Sequence, residues 1–155
     1  MRIHESIAIN RPPDEVWAYW SDLFNSPRAH PGALALRQTS PGPLGSGSVL
    51  QGRMTILGFE TRFTMTVTEF DPHRSVAVTL AGRPGRGALR ITLEPTPEGT
   101  RVDRTSDFKL HPAFILMSPI LGFILQRQAR AASRNWKRLI EGTPPSASQK
   151  PRRGR

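Results

Sequence analysis

Two side chains carry most of the chemical potential of this sequence. His30 offers an imidazole that titrates near neutral pH and can serve as a general acid or base. The competing reading is a surface or helix-capping histidine. Arg104 stands in the alternation Thr100, Val102, Arg104, Ser106, Phe108. If Thr100, Val102 and Phe108 face inward, strand parity carries Arg104 and Ser106 inward with them. A buried guanidinium needs a carboxylate, carbonyls or an anionic ligand. A bulge in this strand would instead return Arg104 to solvent, near Asp103 or Asp107. Arg53 competes for the same role but shares parity with Gln51 and Thr55, while Leu50, Met54 and Ile56 form the inner set. His4, His73 and His111 fall at strand or turn edges, no histidine pair has metal-ligand spacing, and there is no Cys. No metal is expected. The HExxH and GxSxG patterns, a P-loop and a dinucleotide fingerprint are all missing, so no nucleotide cofactor is expected. The stretch Gly82 to Gly87 is Gly-rich, but it lies between two strands and reads as a hairpin turn.

These residues must be positioned by a small set of elements. Arg2 to Asn10 alternates as a strand with Ile3, Ile7 and Ile9 on one side. Pro13-Asp14-Glu15 starts a short helix, with Pro in the first turn and acids that complement the helix dipole. Val16, Trp17, Trp20 and Leu23 recur at helical spacing, Asn25-Ser26-Pro27 ends the helix, and a second helical turn runs toward His30. Ala33 to Thr39 is a short strand. Ser48 to Leu57 and Phe59 to Phe70 form a hairpin around Gly58. Ser75 to Leu80, the Leu89-Ile91-Leu93 alternation and Thr100 to Phe108 add three more strands, separated by turns at 71–73, 82–87 and 95–99. From Pro112 to Glu141 the period becomes helical: Phe114, Met117, Leu121, Leu125, Ala129, Ala132, Trp136, Leu139 and Ile140 make one broad stripe. Pro119 is expected to kink this helix or to split off its first turns.

The pattern predicts an α+β fold. A curved antiparallel sheet of six to seven strands wraps a long C-terminal helix, with two short helices after the first strand. A one-sided sheet must hide its apolar face, and the terminal helix is the only element long enough to cover it. A sheet of this size curls by its own twist, and the enclosed space is a natural small-molecule site. Met54, Met65 and Met117 with Phe63 and Phe114 would make an adaptable apolar wall, or simply an ordinary core. The expected ligand contacts are Trp20, Leu50, Met54, Phe63, Met65, Val78, Ile91, Ser106, Phe108, Met117, Leu121 and Leu125. The stretch Phe114 to Met117, with Pro119 and Gly122 close behind, is apolar on nearly every face, as either a gate to the pocket or a dimer contact. A monomer and a homodimer both fit.

The chain has 155 residues, enough for one domain, and 37% of them are hydrophobic. Residues 1–142 form the domain. The Pro, Ser, Lys and Arg-rich stretch 143–155 is expected to be a disordered basic tail. The formal net charge is +10, and four of these charges come from the tail cations Lys150, Arg152, Arg153 and Arg155. The other cations are scattered apart from a loop with Arg83, Arg86 and Arg90, and no nucleic-acid motif accompanies them. Specific nucleic-acid binding is therefore not expected. The N-terminus lacks the apolar stretch of a secretory leader, and no apolar run reaches the roughly 20 residues of a membrane span. A cytoplasmic location is expected.

Several phrases in this order resemble the START-like, or helix-grip, superfamily (also called SRPBCC), and within it the polyketide cyclase/dehydrase-like group. They are INRPPDEVWAYWSDL after the first strand, VTEFDPHRSVAV across the middle turn, LEPTPEGTRV across the last hairpin, and a final helix ending NWKRLIEG. The resemblance spans residues 1–142 and implies a cavity for a small hydrophobic molecule. It implies one of two functions: a cyclase or dehydratase of secondary metabolism, or a non-catalytic carrier or sensor of a lipid-like molecule. It places His30 at the cavity entrance, and polyketide carbonyls and enolates are groups that Arg104 would stabilise. The chain departs from its relatives in one phrase: Ala29 stands where many carry Trp in a W-x-P sequence.

Overall fold

The computed structural model describes residues 1–22 and 30–142. The strands are β1 (Arg2–Ile9), β2 (Ala33–Gln38), β3 (Val49–Ile56), β4 (Phe59–Asp71), β5 (Ser75–Gly82), β6 (Gly85–Thr96) and β7 (Gly99–Leu110). Helix α1 (Pro13–Trp20) follows β1. A 3₁₀ helix (Pro112–Met117) leads from β7 into the long helix α2 (Ser118–Glu141). The seven strands form one sheet in the order β1-β7-β6-β5-β4-β3-β2, and every neighbouring pair is antiparallel. This is the helix-grip architecture. The second short helix expected before His30, the Ala29 position and the basic tail lie outside the described residues.

Local chemistry explains the element ends. Pro13 opens α1, and Asp14 and Glu15 occupy its first turn. The β3–β4 hairpin closes through Leu57 and Gly58, both at positive φ (53° and 81°), and Ile56 pairs with Phe59. Two successive positive-φ residues define the tight turn that matches strand twist. Two expected turns are shorter than the sequence suggests. The stretch 82–87 is not a loop: Gly82 pairs with Gly85, only Arg83 and Pro84 turn, and Arg86 and Arg90 are strand residues on β6. The stretch 95–99 is likewise mostly ladder, with Pro95 opposite Thr100 and Thr96 opposite Gly99. Glycines and prolines mark turns in sequence, but here the ladder consumes them up to the last residue that can pair.

The core lies between the concave face and the helices. Ile9, Val16, Leu50, Val67 and Val76 are fully enclosed. Helix α2 buries Leu121, Ala129, Ala132, Ser133, Trp136 and Ile140. Its C-terminal end is pinned to the first strand and helix. Lys137 Nζ donates to the Ala8 carbonyl at 2.6 Å, and the Asn10 amide donates to Glu141 Oε1 at 3.0 Å. Arg11 donates to the Glu141 carbonyl at 2.5 Å, where a cation also complements the helix dipole. Pro119 sits in the first turn of α2, and the 3₁₀ turns before it are the split the sequence predicts.

Candidate functional site

A cavity of about 200 Å³ lies between the concave face of the sheet and α2. Its apolar walls come from alternate residues of β3 to β6, and its floor includes Trp20, Leu125 and Trp136. Trp20 and Trp136 stack with ring centroids 4.3 Å apart, and Tyr19 meets Trp136 edge-on at 5.3 Å. These rings pack α1 against α2 at the cavity floor.

Two glycines shape the walls. Gly52 faces Phe63, and a Cβ at position 52 would lie 2.2 Å from Phe63 Cζ. Gly87 faces Phe108, and a Cβ there would lie 2.4 Å from Phe108 Cδ1. Each ring lies across its partner glycine, which opens space that an upright ring would fill.

Arg104 and His30 both line this cavity. The β7 register runs without a bulge from Gly99 to Leu110 against β6, so strand parity holds. Arg104 therefore points to the concave side, flanked across the ladders by Glu5 and Ile91. Its Nε is enclosed and has no hydrogen-bond partner among the described residues. Burial lowers the guanidinium to about 10, with Glu5 acting in the opposite direction, so it stays charged at neutral pH. Burial, and secondarily the charge of Arg104, hold the His30 imidazole down at about 4, while the hydrogen bond to Pro31 opposes this. His30 is thus neutral at physiological pH. Its Nδ1 lies 3.2 Å from the Pro31 carbonyl, which can only accept. The proton therefore sits on Nδ1, and Nε2 carries the lone pair.

The other expected contacts divide. Trp20, Met54, Phe63, Met65, Val78, Ile91, Phe108 and Leu125 line the cavity. Leu50, Ser106 and Leu121 are buried in the core but do not form its wall. Met117 is exposed, because the 3₁₀ helix turns with a period of three and breaks the α-helical stripe drawn through it. Phe114, in the same 3₁₀ helix, is half-buried and does not reach the wall either. Among the described residues no group of three His, Asp or Glu side chains clusters as a metal would require.

Sequence reasoning overlooked Glu5. It shares parity with Ile3 and Ile7, a pattern visible in the chain, and it sits opposite Arg104 in the β1–β7 ladder. Arg130 approaches it from α2 at 3.5 Å. Trp136 also serves the cavity as well as the core.

The family described as polyketide cyclase / dehydrase and lipid transport matches residues 1–141. The protein TTHA0849 from Thermus thermophilus superposes with a TM-score of 0.79 at 18% identity, covering 92% of this chain and 98% of that one. The Zhui aromatase/cyclase from Streptomyces sp. R1128 gives 0.79 at 16% identity, with 97% and 99% covered. StfQ, a di-domain aromatase/cyclase of the steffimycin biosynthetic pathway, gives 0.71 at 13% identity, with 91% of this chain and 50% of that one covered. At these identities the likeness concerns the fold. No curated protein matches the sequence. Among the described residues no helix is long and apolar enough to cross a membrane. With the family match spanning the whole described domain and the sheet gripping one long helix, the chain belongs to the polyketide cyclase / dehydrase and lipid transport family.

Proposed function

We propose that the cavity binds a small, mostly apolar molecule bearing a carbonyl or enolate oxygen, and that the protein acts on it as a cyclase or dehydratase. The observation that carries this reading is the enclosed, unpartnered Nε of Arg104 in a mostly apolar cavity that His30 also lines. A buried donor without a partner is costly, and a ligand oxygen would relieve that cost. The volume of about 200 Å³ suits one or two fused rings, since an apolar cavity of roughly 150 Å³ already holds benzene. In this reading Arg104 stabilises charge developing on the oxygen, and neutral His30 takes a proton from the adjacent carbon or returns one to a leaving hydroxyl. Neither step calls for a metal or a nucleotide.

The test compares a naphthyl ketone with its oxygen-free hydrocarbon counterpart. Arg104→Gln is expected to weaken the ketone about tenfold or more and leave the hydrocarbon nearly unchanged. Equal losses for both probes would mean that Arg104 only shapes the wall. His30→Gln is expected to slow turnover of a poly-β-ketone analogue by about 100-fold or more. Full turnover in that variant, with ketone binding intact, favours the second reading: a carrier or sensor of an apolar molecule. The supporting observation for that reading is the wall itself, apolar apart from a few groups.

A further inference from the structure

The large apolar side chains that face solvent are not scattered. Among the described residues they are Met1, Leu34, Leu57, Phe59, Ile115, Leu116, Met117, Ile120 and Phe123. Topology brings all of them to one end of the molecule. Leu57 and Phe59 form the tip of the β3–β4 hairpin, and Leu34 lies on β2 beside the end of β3. The 3₁₀ helix leaves β7 at this end, where the His111 amide donates to Pro84 in the β5–β6 turn at 2.9 Å. Met1 joins the group through its carbonyl, which accepts from the Phe108 amide at 2.7 Å, and it lies against Gly122 of α2. The same end holds the cavity lining contributed by Ala33, Ile56, Pro84 and Leu110. Leu116 is 95% exposed, Phe59 77% and Phe123 66%. Leu57 also holds a left-handed backbone angle that Asn or Gly would accept more readily. An exposed leucine in that conformation violates two local rules at once, which points to a role outside the fold.

A ring of cations borders this apolar end, and three of them, Arg62, Arg86 and Lys109, also belong to the cavity lining. Arg37, Arg53, Arg62, Arg83, Arg86 and Lys109 are all exposed. Arg53 stands directly opposite Arg62, and Arg86 directly opposite Lys109. Like charges facing each other across a ladder are unfavourable unless something anionic lies over them. The acids nearby are Glu60, which pairs with Arg53, and Asp107, beside Arg2. The chain from Phe108 to Ile140 contains no acid at all. An isologous dimer through this end would set cations against cations. An anionic bilayer surface satisfies both features, with apolar side chains entering the headgroup boundary and cations on the lipid phosphates.

We propose that this end is a docking surface for anionic membranes, set so that the cavity opens toward the lipid. The surface is independent of the chemistry assigned to Arg104 and His30. The test uses the full chain with phosphatidylcholine vesicles, with and without a share of phosphatidylglycerol, in a flotation assay. The wild type is expected to float with the anionic vesicles, in a salt-sensitive manner, and hardly with the neutral ones. Leu116→Ser with Phe123→Ser, and separately Arg37→Glu with Arg83→Glu, are each expected to reduce binding about tenfold or more. None of these four side chains lines the cavity, so binding of an apolar probe should stay unchanged in both variants. Flotation that survives both sets of substitutions overturns the proposal and leaves the charge of the tail as the attachment. Equal binding to neutral vesicles overturns the role of the cation ring. Sedimentation showing a dimer that the Leu116→Ser and Phe123→Ser variant converts to a monomer, without vesicle binding by the wild type, makes this end a self-association face instead.

Discussion

The indole of Trp136, late in the terminal helix, stacks on the indole of Trp20 at the end of the first helix, with 24° between the ring planes. Both rings are buried and both line the cavity, so one contact joins core packing to the binding floor. Trp136→Ala is expected to destabilise the protein by about 3–5 kcal/mol, the range for large aromatic truncations in cores. Urea unfolding measures this. A loss below about 1 kcal/mol would show that the stack bears little of the core.

Glu5 is the acidic residue whose charge reaches buried Arg104. Glu5→Gln is expected to cost about 2 kcal/mol, because it leaves the guanidinium enclosed without a counter-charge. In an Arg104→Leu background the same change should cost much less, since no buried charge remains to be compensated. Equal costs in the two backgrounds would assign the effect to the exposed contact with Arg130 instead.

His30 gives the protein an acid-sensitive step. Its folded value of about 4 lies below the ordinary 6.5, so between these values the unfolded chain binds more protons than the folded one. Stability from this residue is complete above about 6.5 and is lost as pH falls toward about 4, by up to about 3 kcal/mol. His30→Gln should flatten this part of the stability profile while leaving the loss from Glu141, whose carboxylate is held low first by the Asn10 amide, at more acid pH. An unchanged slope between wild type and variant would mean that His30 is solvated.

Gly87→Ala should keep the fold and shrink the cavity. The new methyl group would meet the ring of Phe108, itself part of the cavity wall, and the ring would have to move. A cost near 1 kcal/mol is expected, with apolar probe affinity falling about tenfold. Trimming the ring in a Gly87→Ala, Phe108→Leu double variant should restore affinity. Failure of that rescue would show that the sheet, not the ring, has moved.

Much of this architecture was legible in the chain because strand and helix periods are local properties. The alternation from Thr100 to Phe108 determined that Arg104 would face inward once the strand ran without a bulge. The terminal stripe determined that Ala129, Ala132, Trp136 and Ile140 would be buried together. Pro13, Asp14 and Glu15 determined where the first helix begins. What tertiary structure decided depends on which distant strands meet. The β1–β7 register sets Glu5 against Arg104, about a hundred residues apart in sequence. The β3–β4 and β6–β7 registers lay Phe63 and Phe108 over glycines and open the cavity between them. A change of helix type after β7 sends Met117 outward, away from the stripe it shares in sequence. Periodicity settles which face a side chain takes, but the partner across the ladder is settled only when the whole sheet closes on its helix, and in this protein that closure brings the charge of Arg104 to the imidazole of His30.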